Sequence, residues 1–174
     1  MLRPSLLTTI EITLDIGTKT GPIFGVPTQI QQILMNLCTN AFHAMGDTGG
    51  RLDISLKEID LRREDITPEP HIDTVTFVQL SVGDSGAGMT QQVKDKIFDP
   101  YFSNKGVGKG TGMGLSIVHG IIKSYGGFIT LSSESGKGTV FHVFLPVINK
   151  EVLLDEEAIE DVKQLPFGRK RSFL

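Results

Sequence analysis

Residues 106–114 read Gly-Val-Gly-Lys-Gly-Thr-Gly-Met-Gly and run directly into Leu115. From there Leu115, Val118, Ile121, Ile122 and Tyr125 recur at helical spacing over Met113–Tyr125, and Gly126-Gly127 is a suitable stop. A glycine-rich loop that opens a helix exposes backbone N–H groups beside the positive end of the helix dipole, a combination suited to phosphate. The alternative is a loop that is merely flexible. This is not a Walker A loop, because no Gly-Lys-Ser/Thr triplet follows. The Rossmann fingerprint needs a strand immediately before it, where this chain has Phe98-Asp99-Pro100-Tyr101-Phe102. Both common nucleotide-binding folds are therefore disfavoured, and the fold has to be read from the elements on either side.

Upstream, Ile10, Ile12, Leu14 and Ile16 alternate with Thr and acidic residues, the period of a half-buried strand over Thr8–Ile16. After Gly21-Pro22 and Gly25-Val26-Pro27, the residues Ile30, Ile33, Leu34, Leu37, Ala41 and Met45 repeat at helical spacing from Thr28 to Met45. Gly46-Asp47-Thr48-Gly49-Gly50 ends that helix, and Leu52, Ile54 and Leu56 alternate as a second strand. The segment Arg62 to Asp73, charged and carrying Pro68 and Pro70, reads as a solvated connection to a third strand over Val75–Val82. Thr90 is placed to cap a short helix through Ile97, stopped by Pro100. Downstream, Phe128–Ser133 and Thr139–Val147 flank Ser135-Gly136-Lys137-Gly138 as a hairpin. Interleaved helices and strands that close in an antiparallel hairpin predict a two-layer α/β (α+β) sandwich with a mixed sheet, not a doubly wound parallel fold. The domain is expected to span 1–148, followed over 149–174 by a tail that is acidic and then basic, ending near Arg169-Lys170-Arg171.

A chain of 174 residues, 39% hydrophobic and 21% charged, is one domain's worth with a real core, and neither disorder nor a coiled coil fits it. Its 17 basic and 20 acidic residues give a net charge of −3, which argues against a nucleic-acid binder or an anionic-membrane binder driven by net charge. Any anion site must be local. The single cysteine, Cys38, excludes an internal disulfide and every multi-cysteine metal site and suits a reducing compartment. No apolar run approaches the roughly 18 residues of a membrane span, and no basic start precedes an apolar stretch, so the expected location is the cytoplasm, without membrane insertion.

Two further clusters bear on chemistry. At about 100° per residue, Gln29, Gln32, Asn36, Asn40 and His43 fall on one polar stripe of the first helix, flanking its apolar face. A solvent-facing polar side explains that stripe. Two Asn one turn apart in a helix interior nevertheless suggest a task, since Asn is a mediocre helix former and its amide oxygen is a hard, neutral ligand suited to Mg²⁺. The second cluster, Gly83-Asp84-Ser85-Gly86-Ala87-Gly88-Met89, follows the third strand. A carboxylate there can accept from a ligand amino group while the glycines let a flat ligand lie close to backbone, or the whole is an ordinary glycine-rich turn.

The three clusters in this order resemble the catalytic ATP-binding domain of bacterial sensor histidine kinases, in the superfamily shared with gyrase B, Hsp90 and MutL. Asn36-Leu37-Cys38-Thr39-Asn40-Ala41 resembles the family's N box and Asp84-Ser85-Gly86-Ala87-Gly88-Met89 its first glycine box. Ile97-Phe98-Asp99-Pro100-Tyr101-Phe102 resembles its F box, Gly110-Thr111-Gly112-Met113-Gly114-Leu115 its second glycine box, and Gly136-Lys137-Gly138-Thr139 with Leu145-Pro146 its closing hairpin. The likeness runs from Ile10 to Val147 and implies a Bergerat ATP-binding fold, a mixed sheet packed on one side by about three helices. It implies ATP and Mg²⁺ as cofactors. Asn40 would ligate Mg²⁺, Asn36 would lie in the phosphate site, and His43 stands where relatives often place a Lys or His near the phosphates. Asp84 would accept from the adenine amino group and so reject guanine, with Gly86, Gly88 and Met89 along the adenine pocket. Gly110, Gly112 and Gly114 would form the hinge and phosphate side of a lid spanning Tyr101 to Thr111, with Thr111, Met113, Leu115 and Thr139 also at the nucleotide. Lys105 and Lys109, the cations of that lid, reach phosphate or are solvated, and Phe98 and Phe102 anchor it to the core.

Asn36 also bears on the reaction. ATP-hydrolysing members of the superfamily carry at that position a Glu that activates water, whereas an amide cannot take a proton. Transfer of the γ-phosphate to a protein nucleophile is the implied activity, with histidine as acceptor. None of His43, His71, His119 and His142 sits in the family's acceptor motif, so the resemblance implies that the acceptor lies on a dimerisation hairpin outside this chain and that the isolated domain is monomeric. The basic end resembles the start of a receiver domain, as in a hybrid kinase, or is a boundary tail. The alternatives are an ATPase or serine kinase of the same superfamily, or a non-catalytic nucleotide-sensing module.

Overall fold

The computed structural model describes residues 10–62, 74–102 and 112–148. In chain order the elements are β1 (Ile10–Ile16), α1 (Pro27–Met45), a 3-10 turn (Gly46–Thr48), β2 (Gly50–Arg62), β3 (Thr74–Asp84), α2 (Gln91–Lys94), α3 (Gly114–Ser124), β4 (Phe128–Glu134) and β5 (Gly138–Pro146). The strands form one mixed sheet in the order β1-β2-β3-β5-β4, with β1 parallel to β2 and every other pair antiparallel. The predicted two-layer sandwich with a mixed sheet is the fold observed. The connection at 63–73 and the tail from 149 onward lie outside the described residues.

Both long helices are bounded by local chemistry. Pro27 occupies the first helical position of α1, where its missing N–H removes nothing, and Gly46 at φ +55 turns the chain out of it. Ile33, Leu37, Ala41 and Met45, one turn apart, are buried along its inner face. At the end of α3 the Gly127 amide donates to Ile122 O and the Gly126 amide to Lys123 O, each at 3.0 Å, with Gly126 at φ +69. This is a Schellman stop, and it explains the paired glycines.

The sheet presents one apolar face to these helices. Strand alternation sends Ile54, Val82, Phe141 and Leu131 to the same side, and pairing places them in one row together with Leu14. Val82, Phe141 and Val143 join Ile33, Leu37, Val118 and Ile122 in the core. Two expectations need correction. The edge strand β1 is not half-buried, because α1 lies inward of it and leaves Ile12, Leu14 and Ile16 at 60%, 65% and 54% exposure. The helix after Thr90 covers only Gln91–Lys94 and makes no side-chain cap with Thr90, the chain continuing through Ile97 in turns. Among the described residues no helix is long and apolar enough to cross a membrane.

Candidate functional site

Asp84 is the last residue of β3, two residues past buried Val82 on the same face. Its carboxylate accepts the Gly86 amide at 2.8 Å and is also hydrogen-bonded by the backbone of Thr139. Burial raises its pKa above the ordinary 3.8, and the two backbone bonds pull the other way without cancelling it. The result is a half-buried acceptor at a strand end with its position set by main chain.

The turn that follows is tied to three elements at once. Ser85 exchanges bonds with β2, its amide donating to Arg51 O at 3.1 Å and its hydroxyl accepting the Arg51 amide at 2.9 Å. The Ala87 amide donates to Ala44 O, at the C-terminal turn of α1. A Cβ on Gly86 would stand 2.6 Å from the Ala44 carbonyl carbon, and one on Gly88, which sits at φ +64, would stand 2.0 Å from Glu134 O. Both glycines are therefore demanded by packing, whatever else they do. Met89 donates its amide to Ser133 Oγ at 2.9 Å, and the Gly136 amide returns a bond to Ala87 O at 2.7 Å. Asp84, Gly86, Gly88, Met89 and Thr139 are thus brought together.

The polar stripe of α1 divides by task. Gln29 is held by Tyr125, whose hydroxyl donates to Gln29 Oε1 and accepts the Val26 amide, so this glutamine fastens the helix start to α3. Asn36 donates Nδ2 to Gln32 O at 2.9 Å, with its Oδ1 on the side of Gly114. A Cβ built on Gly114 would lie 3.0 Å from that Oδ1, so the Asn36 amide abuts the first residue of α3. Asn40 lies one turn further on, half-buried, before Ala44, and His43 is exposed. Met113 is exposed and Leu115 packs against the core. Gly112, at φ +65, would drive a Cβ to 2.6 Å from the Tyr101 carbonyl carbon, so the backbone at Gly112 lies against that at Tyr101. Phe98 packs against the core and stacks on His119 at 5.4 Å, the core position expected of it. Lys105, Lys109, Gly110 and Thr111 lie outside the described residues.

Ser133 and Ala44 escaped the sequence reading, which gave Ser85 no role within its motif. Their signal is the strand register and the contact of the turn with α1, neither of which a motif carries. No group of three or more His, Cys, Asp or Glu that could hold a metal occurs among the described residues. A divalent cation bound beside the Asn40 amide would therefore take most of its oxygens from water and phosphate, which is how Mg²⁺ is usually held. The opposite flank of α1 carries a groove of about 370 Å³ lined by Ile10, Ile12, Cys38, Thr39, Phe42, Met45 and Leu52. It contains no charged group, and burial there pushes the Cys38 thiol pKa up. His142 belongs to the far face of the sheet, where Nδ1 faces Gln79 Nε2 at 3.1 Å and Ser81 Oγ at 2.8 Å.

Residues 25–149 match the family described as histidine kinase-, DNA gyrase B- and HSP90-like ATPase, and the chain belongs to this family. It is 40% identical over 153 residues to the sensor kinase CckA of Brucella abortus, covering 86% of this chain and 16% of that protein. It is 34% identical over 141 residues to sporulation kinase E of Bacillus subtilis, covering 81% of this chain and 17% of that one. The chain thus spans about a sixth of these relatives. Among solved structures, the nucleotide-free catalytic domain of histidine kinase ThkA superposes with a TM-score of 0.60 at 30% identity, covering 79% of this chain and 78% of that one. The family is one of ATP-binding domains, and the relatives are multidomain sensor kinases.

Proposed function

We propose that this chain is the ATP-binding catalytic domain of a sensor histidine kinase, and that it transfers the γ-phosphate of ATP to a histidine on a dimerisation hairpin elsewhere in the parent protein. The observation that carries the reading is Asp84, a half-buried carboxylate fixed by the backbone of Gly86 and Thr139 at the mouth of the core. An acceptor held by main chain distinguishes an exocyclic amino group from a carbonyl, hence adenine from guanine. Gly86, Gly88, Met89 and Thr139 would line the base. Asn36, His43 and the approach to and start of α3 at Gly112, Met113, Gly114 and Leu115 would face the phosphates, with Lys105, Gly110 and Thr111 also contributing. Mg²⁺ held through Asn40 would neutralise phosphate charge. Asn36, an amide, offers no base for water, which favours transfer over hydrolysis. In the transfer, a neutral imidazole nitrogen forms the N–P bond as the bond to the β-phosphate oxygen breaks and ADP leaves. The reading places the domain in the cytoplasm and within residues 1–148. It makes a receiver domain the next acceptor and the isolated chain a monomer.

Calorimetric titration with ATP and GTP, with and without Mg²⁺, followed by mixing with the parent's acceptor hairpin, tests it. Adenine-selective binding and acid-labile phosphate on the hairpin are expected. Binding with no label on the hairpin would leave only a nucleotide-sensing module, and absent binding by the folded chain would remove the site itself.

A further inference from the structure

The helix-facing side of the sheet changes character at one row. Ile54, Val82, Phe141 and Leu131 stand side by side in the core. Two residues on, β3, β5 and β4 present Asp84, Thr139 and Ser133, again as direct neighbours across the strands. Three strands thus exchange apolar side chains for hydrogen-bonding ones at the same step, and the third of these, Ser133, is the acceptor of the Met89 amide. Thr139 is buried to 4% exposure, so its hydroxyl needs a partner inside the protein.

Ser133 is that partner. Its Oγ lies 2.9 Å from Thr139 Oγ1 and 3.0 Å from Gly138 O, and it accepts the Met89 amide at 2.9 Å. One hydroxyl therefore joins the residue whose backbone bonds the Asp84 carboxylate to the end of the turn that begins at Asp84. The surrounding contacts leave it little freedom. Lys94 Nζ donates to Ser133 O at 3.3 Å, the Gly136 amide donates to Ala87 O, and a Cβ on Gly138 would lie 1.9 Å from Asp84 O. The β4–β5 hairpin and the 84–89 turn are in backbone contact, and Ser133 is the side chain that locks one against the other.

We propose that Ser133 is a positioning residue for purine recognition: through Thr139 and the Met89 amide it holds the Asp84 carboxylate at the place where it discriminates an amino from a carbonyl substituent. The inference rests on the proposed role of Asp84. Removing the hydroxyl leaves the Met89 amide without its acceptor and the buried Thr139 hydroxyl without this partner, which loosens the hairpin that carries the Thr139 backbone against the turn and with it the bond that directs the Asp84 carboxylate.

The test is calorimetric titration of the full 174-residue chain with ATP and GTP, comparing wild type, Ser133→Ala, Ser133→Cys and Ser133→Thr, with thermal melts of each. Ser133→Ala is expected to weaken ATP about tenfold while leaving GTP nearly unchanged, so that the ATP:GTP preference collapses. Ser133→Cys, which keeps the volume but is a poor acceptor, loses preference in the same direction and serves if the alanine variant does not fold. Ser133→Thr, which keeps the hydroxyl and suits a strand, restores wild-type preference. A Ser133→Ala variant whose melting point falls while its ATP:GTP ratio stays at the wild-type value overturns the inference and leaves a structural serine. A wild type with no preference for ATP overturns the role of Asp84, and this inference with it.

Discussion

The 84–89 turn and the amide face of α1 are the two walls of the proposed site, and they are secured by opposite means. The turn is clamped mainly through backbone: Ser85 to Arg51, Ala87 to Ala44 and Gly136, with Gly86 and Gly88 pressed against neighbouring carbonyls and the hydroxyls of Ser85 and Ser133 accepting the Arg51 and Met89 amides. The opposite wall is made of side chains on a helix, where Asn36 is steadied by Gln32 and touches Gly114 across a gap between two elements. A wall of main chain resists substitution by unfolding, and a wall of side chains resists it by losing function. The expected consequences of breaking each follow from that contrast.

Gly88→Ala should be the most damaging change. Its φ of +64 disfavours a side chain, and the new Cβ would sit 2.0 Å from Glu134 O, a backbone atom that can move only with the hairpin. Left-handed strain and overpacking together suggest a loss of about 3 kcal/mol, read by urea denaturation. A variant within error of wild type would mean that the hairpin is not held on the turn.

Asp84→Asn separates function from stability within the same wall. Because the folded-state pKa is raised above 3.8, Asp84 adds stability when protonated, fully so below the unfolded value, and that contribution is lost as pH rises through the folded pKa. At neutral pH the ionised carboxylate therefore weighs against the fold. The asparagine variant should melt no lower than wild type at pH 7 while ATP binding weakens roughly 10- to 100-fold, the range for a hydrogen bond to a charged acceptor. The melting-point difference between the two proteins should shrink on acidification as wild-type Asp84 takes up its proton. Unchanged ATP affinity would take Asp84 out of the site.

On the other wall, Asn40→Ala should reduce the gain in ATP affinity that Mg²⁺ confers by about tenfold. Titration with and without the metal reads it, and an unaltered response to Mg²⁺ would remove Asn40 as the ligand.

How much of this was legible beforehand follows the same division. The helices were written in their periodicity, and α1 and α3 lie within one or two residues of the spans read from spacing. The run Val75–Val82 marked β3 and the turn at Ser135–Gly138 marked the β4–β5 hairpin, but nothing marked β3 as the neighbour of β5, so the row of Asp84, Thr139 and Ser133 could not be seen from any one segment. Alternation in β1 declared two faces without saying that α1 stops short of covering one. The outer half of β2 carries Lys57, Glu58 and Asp60, a poor strand signal, and is held by pairing with β3 over Glu58–Val78 to Arg62–Thr74. For Gly86 and Gly88 the two readings of a glycine-rich turn were not exclusive: each is required by a backbone contact before any ligand arrives.

Gly114→Ala is the mildest change and the most discriminating between the walls. Gly114 opens α3, where alanine is the better helix former by about 1 kcal/mol, so the substitution costs the fold nothing and can raise the melting temperature. The new Cβ would stand 3.0 Å from Asn36 Oδ1, close enough to push that amide by a few tenths of an ångström, because it meets a side chain and not a backbone carbonyl. The same Gly-to-Ala exchange that should unfold the turn at Gly88 is thus expected here to leave stability intact and to weaken ATP about two- to threefold, through a displaced Asn36. Melts and titrations on the two variants decide the matter together. If Gly114→Ala loses stability instead, α3 is clamped as the turn is, and the contrast between a backbone wall and a side-chain wall fails.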